Sequence, residues 1–347
     1  MSGLRNCVVV RADIHILTHR PSLLLQPDNL KEPVDLAMDL MELFFVCLGA
    51  AVVVFYGVKM VRFAKMLYPR VCFPQPDSFF TSMGEWAVVT GGSDGIGKAY
   101  AFELAGRGLN VVILSRTKDK LDRVALEIGE TTGQKVKVIV ADFTEDDMYE
   151  HIEENLKGLN ISVLGARVNN VGILPSHIPC KFLQTKDLEQ RITKVINCNV
   201  KALVKMCQIV LPGMEKRGKG VIVNISSGVA SVPSPMYTMY CASKVFVERF
   251  SQGLQAEYKA KRIMIQAVAP FGVSTPMTGY QKSNMVTLTA EDFVRTSLEY
   301  LQAGDKTYGS ICHTVLGWMV QAVPQQILHS ETMQDSLLEY VKKRVGT

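Results

Sequence analysis

Residues 226–244, SSGVASVPSPMYTMYCASK, hold three side chains with chemistry to offer: Ser227, Tyr240 and Lys244, the last two four positions apart. On a helix that spacing sets both side chains on one face. A phenol is a poor acid at neutrality, with a pKa of about 10. A neighbouring ammonium favours the phenolate and so lowers that pKa. The pair can therefore protonate a carbonyl oxygen, or act as base in the reverse step. Ser227 follows the apolar run GVIVNI and can hold the same oxygen from the side. Tyrosine and lysine at this spacing also occur on many solvated helices, so the elements upstream must decide.

Those elements alternate. From Glu85 onward, WAVVT (86–90), NVVILS (110–115), VKVIVA (136–141), GVIVNI (220–225) and MIQAVA (264–269) read as buried parallel strands with amphipathic segments between them. Strand–helix alternation of this kind predicts a doubly wound α/β fold. The first strand runs into TGGSDGIG (90–97), which opens a helix at Lys98. Gly91, Gly95 and Gly97 let the backbone turn sharply and approach a pyrophosphate at the helix N-terminus. Ser93, Asp94 and Ile96 complete that candidate cofactor loop. An acidic residue ending the second strand would select the ribose hydroxyl of NAD. This chain has Ser115 and Arg116 there, a hydroxyl and a guanidinium suited to a 2′-phosphate. Asp142, ending the third strand, is placed to meet the adenine edge.

The 347 residues carry a net charge of +5 without a long basic run or aromatic ladder, which argues against a nucleic-acid partner. Eight cysteines and six histidines show no metal-ligand spacing, so no metal is expected, and the thiols read as reduced. Residues 43–58, LFFVCLGAAVVVFYGV, contain no charge. A span needs about 20 apolar residues, and Lys59 can snorkel to extend this one, so the stretch reads as a membrane anchor. Asp35, Asp39 and Glu42 precede it, and Lys59, Arg62, Lys65 and Arg70 follow it. The positive-inside rule then puts the long C-terminal part in the cytosol. The domains expected are an extension over 1–40, an anchor over 41–65, a catalytic domain over 80–312 and an apolar or amphipathic segment over 313–347. In the last of these, residues 313–329 are strongly apolar but broken at Pro324; lining a pocket, lying in a membrane interface and simple packing all remain open. Just before it, MVTLTAEDFVRTSLEYLQAG reads as a helix capped at Thr289.

TGxxxGIG, NNVG (169–172), Asn199, Ser227, Tyr240-x3-Lys244 and Pro270-x-Gly-Val-x-Thr275 together resemble the short-chain dehydrogenase/reductase family over residues 84–280. More narrowly, SMGEWAVVTGGSDGIGKAYAFELAGRGLNVVILSRT resembles its microsomal 17β-hydroxysteroid dehydrogenase branch. The resemblance implies a Rossmann-type doubly wound parallel sheet with an N-terminal transmembrane helix, working at the endoplasmic reticulum membrane. It implies NADPH/NADP+ as cofactor and a catalytic tetrad of Asn199, Ser227, Tyr240 and Lys244. Tyr240 is then the proton donor, Ser227 the oxygen clamp, and Lys244 the group that tunes the phenol and holds the ribose. Asn199 positions a relay water, Asn170 lies against the adenosine, and Val273 and Thr275 hold the nicotinamide carboxamide. The activity implied is reduction of 17-ketosteroids to 17β-hydroxysteroids. A 3-oxoacyl-CoA reductase of fatty-acid elongation and a non-catalytic membrane-bound relative are the alternatives, and a homodimer is compatible with each.

Two stretches depart from the family pattern. Residues 1–37 have no counterpart in it, and NISVLGARVNNVG stands where a run like EIGILVNNVG belongs. Burying an unpaired Arg167 in a central strand costs several kcal/mol. The expectation is therefore a strand beginning near Val168, with residues 163–167 pushed outward as a bulge or longer loop. The alternative keeps Val163 and Leu164 in the sheet and displaces residues 169–172.

Overall fold

Strands β1 (Trp86–Thr90), β2 (Asn110–Ser115), β3 (Val136–Val140), β4 (Ile161–Gly165), β5 (Gly220–Ile225), β6 (Ile263–Val268) and β7 (Lys306–Thr307) form one parallel sheet in the order 3-2-1-4-5-6-7. The structure, a computed structural model, describes residues 33–165, 174, 176 and 178–345. Strand order reverses between β1 and β4, and in sheets of this kind ligands bind outside the carboxyl ends of the strands at that point. The strands are near-continuous apolar runs because both faces are covered. Alternate residues feed two cores: Val89 and Ile113 point into one, Val88 and Val112 into the other. The first core is closed by α2 (Gly95–Gly106), α3 (Lys118–Thr132) and, later in the chain, Ala290–Glu299. The second is closed by α4 (Tyr149–Leu156), by Ala202–Arg217 (α6), which follows Leu188–Ile196 (α5), and by α7 (Thr238–Tyr258).

The chain divides into two compact units, residues up to Met60 and residues from Val61 onward. Helix α1 (Pro33–Leu67) is longer than the apolar stretch suggested. Its stretch Asp39–Leu67 is long and apolar enough to cross a membrane, and the most apolar part of it holds no buried residue. The helix continues past Lys59, whose ammonium lies 4.5 Å over the Phe55 ring instead of ending the segment. A second long apolar stretch, Leu188–Arg217, is half buried and belongs to the core.

Strand β4 corrects the expected start near Val168. Val163 pairs with Ala87 and Val221, Leu164 pairs with Val88 and Ile222, and both are fully buried. Fully burying such a side chain is worth about 1.5–3 kcal/mol, which keeps these two residues in the sheet. The irregularity lies earlier: the register against β1 shifts by one residue between Ile161 and Val163, leaving Ser162 as a bulge. Its hydroxyl is buried and donates to the Phe80 carbonyl at 2.7 Å. Ala166, Arg167 and residues 169–172, with Asn170, lie outside the described residues.

Helix α8 (Ala290–Glu299) is capped at Thr289 as expected, the hydroxyl accepting from the Asp292 N–H at 3.0 Å. Helix α9 (Ile311–Ala322) ends before Pro324, and α10 (Glu331–Val345) completes the described chain. Helix α2 starts at Gly95, three residues before the expected Lys98, because the Asp94 side chain caps it by accepting from the Gly95 N–H at 2.7 Å.

Candidate active site

Strand β5 carries Ser226 and Ser227 out of the sheet at its carboxyl end, where the Ser226 N–H is bonded to the Val268 carbonyl. Helix α7 begins at Thr238, so Tyr240 falls in its first turn and Lys244 one turn on, on the same face. Lys244 is 1% exposed. Its ammonium donates to the Ile225 carbonyl at 3.2 Å and lies 5.5 Å from the Tyr240 ring centroid. A buried cation is costly unless it is hydrogen-bonded, so the fold must hold it in place. Ser226 helps to do so: its hydroxyl reaches the Lys244 carbonyl at 2.9 Å and the Glu248 carboxylate at 3.1 Å. Glu248 is in turn paired with Lys306 at 2.8 Å.

Asn199 comes from a different element. Between α5 and α6 the helix widens into a π turn, Asn197–Lys201, and such bulges re-aim side chains. The Asn199 amide, fully buried, donates to the Ser243 hydroxyl at 2.9 Å. Ser243 donates to the Tyr240 carbonyl at 2.7 Å, so the π turn is tied to the first turn of α7. The Asn199 side-chain oxygen is buried with no partner among the described residues, and a buried unpaired acceptor marks a place for water. Next to Asn199, burial and then the Asp142 carboxylate push the Cys198 thiol up to about 12, so it stays protonated and inert.

The glycine loop has the shape of a cradle. A Cβ on Gly97 would sit 2.1 Å from the Gly91 carbonyl oxygen, and Gly95 has φ +54°, so neither position accepts a side chain without strain. The residues present therefore fit a dinucleotide whose phosphates approach the backbone here. The Ser93 hydroxyl bonds the Ser115 hydroxyl at 2.9 Å, fixing this loop to the end of β2, where Arg116 is exposed. The Ile96 side chain points into the core, so only its backbone faces the loop. Asp142 accepts from the Thr144 N–H and hydroxyl at 3.0 and 2.9 Å. On the far wall, Val273 bridges to Leu288, and buried Thr275 caps the turn Pro276–Thr278.

The sequence reading missed three groups. Ser243 and Glu248 lie on α7 beside the lysine, where the spacing on one helix face was the available signal. Tyr280 had none: its hydroxyl donates to Asp94 at 2.9 Å across 186 positions of chain, from a backbone with φ +50°. Burial works against the Asp94 charge, but bonds from Tyr280, Gly95 and Lys120 outweigh it and hold the carboxyl below its ordinary range. A cavity of about 480 Å³ lined by Glu150, Ile161 and Arg217 lies near the amino end of β4 and contains none of the tetrad.

Comparison with known proteins places this geometry. A family model described as short chain dehydrogenase matches residues 85–285. The chain is 61% identical over 307 residues to 17-beta-hydroxysteroid dehydrogenase type 3 of Danio rerio, covering 88% of this chain and 99% of that protein. It is 45% identical over 267 residues to very-long-chain 3-oxoacyl-CoA reductase of Anas platyrhynchos, covering 76% and 84%. Among solved structures it is similar to a short-chain dehydrogenase from Sphingobium yanoikuyae in complex with NADPH, with TM-score 0.60 and 28% identity over 71% of this chain and 96% of that one.

Proposed function

The chain belongs to the short chain dehydrogenase family, and on that premise we propose that it reduces 17-ketosteroids to 17β-hydroxysteroids with NADPH. It is an oxidoreductase of that family. The observation that carries the steroid reading is the 61% identity across 99% of a 17-beta-hydroxysteroid dehydrogenase type 3.

When bound, the nicotinamide cofactor supplies the hydride. The chain's own residues do the rest. Tyr240 gives its phenolic proton to the carbonyl oxygen as negative charge develops there, and Ser227 holds that oxygen by a hydrogen bond. The Lys244 ammonium, fixed beside the ring, favours the phenolate left behind and so makes the phenol a better acid. Asn199 offers its unpaired buried oxygen to a water that returns a proton toward Lys244. Gly91, Ser93, Asp94, Gly95, Ile96 and Gly97 form the pyrophosphate loop. Ser115 and Arg116 would take the 2′-phosphate, and Asp142 would meet the adenine edge; Asn170, expected beside it, lies outside the described residues. Tyr240 and Lys244 would also contact the cofactor, and Val273 and Thr275 would hold the carboxamide.

A second reading, reduction of long-chain 3-oxoacyl-CoA, is supported by the likeness to the Anas platyrhynchos reductase at 45% identity. Tyr240 speaks against a non-catalytic role. Membranes containing the protein, assayed with NADPH, should reduce androstenedione at a higher kcat/KM than a 3-oxoacyl-CoA; the reverse order would replace the steroid reading with the second one.

We also take residues 41–65 as an anchor in the endoplasmic reticulum membrane, 80–312 as the catalytic domain and 313–347 as a C-terminal appendage. The exposed apolar window of α1 and the basic residues that follow it support a cytosolic catalytic domain. Protease added outside sealed microsomes should digest that domain; protection would reverse the orientation.

A further inference from the structure

Helix α9 is built inside out. Its buried face carries His313, Thr314 and Gly317, and a Cβ on Gly317 would meet the Tyr308 ring at 2.3 Å, so this side is packed tightly. Its outer face carries Ile311, Val315, Trp318 and Met319, exposed by 47, 36, 41 and 54%. These positions, i, i+4, i+7 and i+8, form one stripe along a helix. No Asp, Glu, Lys or Arg occurs from residue 311 to 330, and Ile327, past the break at Pro324, is also exposed. A contiguous apolar stripe without charges marks a contact surface.

What meets that stripe follows from its neighbour. The Trp318 ring packs on Phe63 at 4.5 Å between centroids. Nearby, Tyr300 donates to the Met66 carbonyl at 2.6 Å and Arg70 pairs with Glu299 at 2.8 Å, so residues 63–70 are tied to α8 as well as α9. Phe63 follows Lys59, the first charge after the apolar stretch, by four residues, or about 6 Å of helix. The headgroup layer on each side of a bilayer is of about that thickness. A tryptophan touching Phe63 therefore sits at the interfacial level, where aromatic rings are favoured, and Arg62, Lys65 and Arg70 supply cations at headgroup depth.

We propose that the outer stripe of α9, with Ile327, lies in the headgroup–acyl boundary of the same bilayer that holds α1, as a second, monotopic membrane contact. This rests on the reading of α1 as an anchor. The contact reaches toward the site. Gln321 of α9 donates to the Tyr308 hydroxyl, which bonds Ser231, and His329 meets the Pro233 carbonyl, so the segment between Ser227 and Tyr240 leans on the part of the chain that meets lipid.

The chain's two tryptophans, Trp86 and Trp318, allow a direct test. The full chain is reconstituted in phosphatidylcholine vesicles with or without bromine on the upper acyl chain, and flotation confirms that it is bound. Bromolipid should quench the Trp318 contribution, taken as wild type minus Trp318→Phe, by about half or more, as expected for a ring buried at that depth. A Val315→Lys, Met319→Lys double variant, changed at two exposed positions, should float equally well and lose that quenching. If Trp318 in floated protein is quenched by aqueous acrylamide and not by bromolipid, the stripe faces water and the inference fails while the anchor stands. If neither quencher reaches it and the chain is dimeric in detergent, a second copy covers the stripe and the inference also fails. A chain that does not float overturns the anchor reading and this one with it.

Discussion

The two ends of the proposed cofactor cleft are built on opposite plans. At the tetrad end, Asn199 and Lys244 are buried, and Asn199, Ser243, the Tyr240 backbone, Ser226 and Glu248 form hydrogen-bonded links that leave little freedom. At the adenosine end, Arg116 and Lys120 are exposed, and Asp94 is shared between Lys120 at 3.3 Å and Tyr280 at 2.9 Å. The difference fits the role proposed for each end. Proton transfer needs groups held to a fraction of an ångström, which burial and hydrogen bonding provide. Holding a phosphate needs charge that can follow a ligand as it enters and leaves, which exposed arginine and lysine provide. Rate should therefore be lost at the buried end and cofactor choice at the exposed end.

The largest expected effect tests the first half of that contrast. Tyr240→Phe keeps the ring and removes the proton donor, so turnover should fall by about 10²–10⁴-fold while cofactor affinity survives, read by steady-state kinetics and a binding titration. Near-normal turnover would end the case for this mechanism. Arg116→Asp should leave turnover with saturating cofactor largely intact. It should cost NADPH about 10–100-fold in affinity, the worth of a charge-assisted hydrogen bond, and improve NADH. If the wild type used both cofactors equally, Arg116 would not be the selector.

A smaller effect is expected from Ser243→Ala, which leaves the buried Asn199 amide without its acceptor. The cost is about 1–3 kcal/mol of stability, visible as a lower melting temperature, with turnover reduced and cofactor selectivity unchanged. A change in the NADPH to NADH ratio there would blur the division between the two ends. The smallest effect belongs to Tyr280→Phe. An exposed hydrogen bond to Asp94 is worth about 1 kcal/mol, so NADPH should dissociate several-fold faster in stopped-flow fluorescence with no change in the chemical step. An unchanged dissociation rate would show that the bond from Tyr280 to Asp94 does not steady the cofactor loop.

Local pattern determined much of this protein. The apolar runs of β1, β2 and β5 coincide with their strands residue for residue, because a strand buried on both faces reads as a near-continuous apolar run. Tyr240 and Lys244 were legible because a helical period alone puts them together. The glycine loop was legible because its backbone admits no side chain at Gly97. What tertiary structure decided was whatever depends on a partner far along the chain. Strand β4 kept Val163 and Leu164 because β1 and β5 flank them, and its register against β1 shifts at Ser162, where nothing in the run announces it. Asn199 reaches Ser243 only through a π turn, which leaves no periodic mark in a sequence. Tyr280 reaches Asp94 over 186 positions. The polarity of α9 could not be assigned from its composition either: an apolar helix reads the same whether its outer stripe meets a core or a bilayer, and only the packing of Gly317 against Tyr308 shows which face is inside.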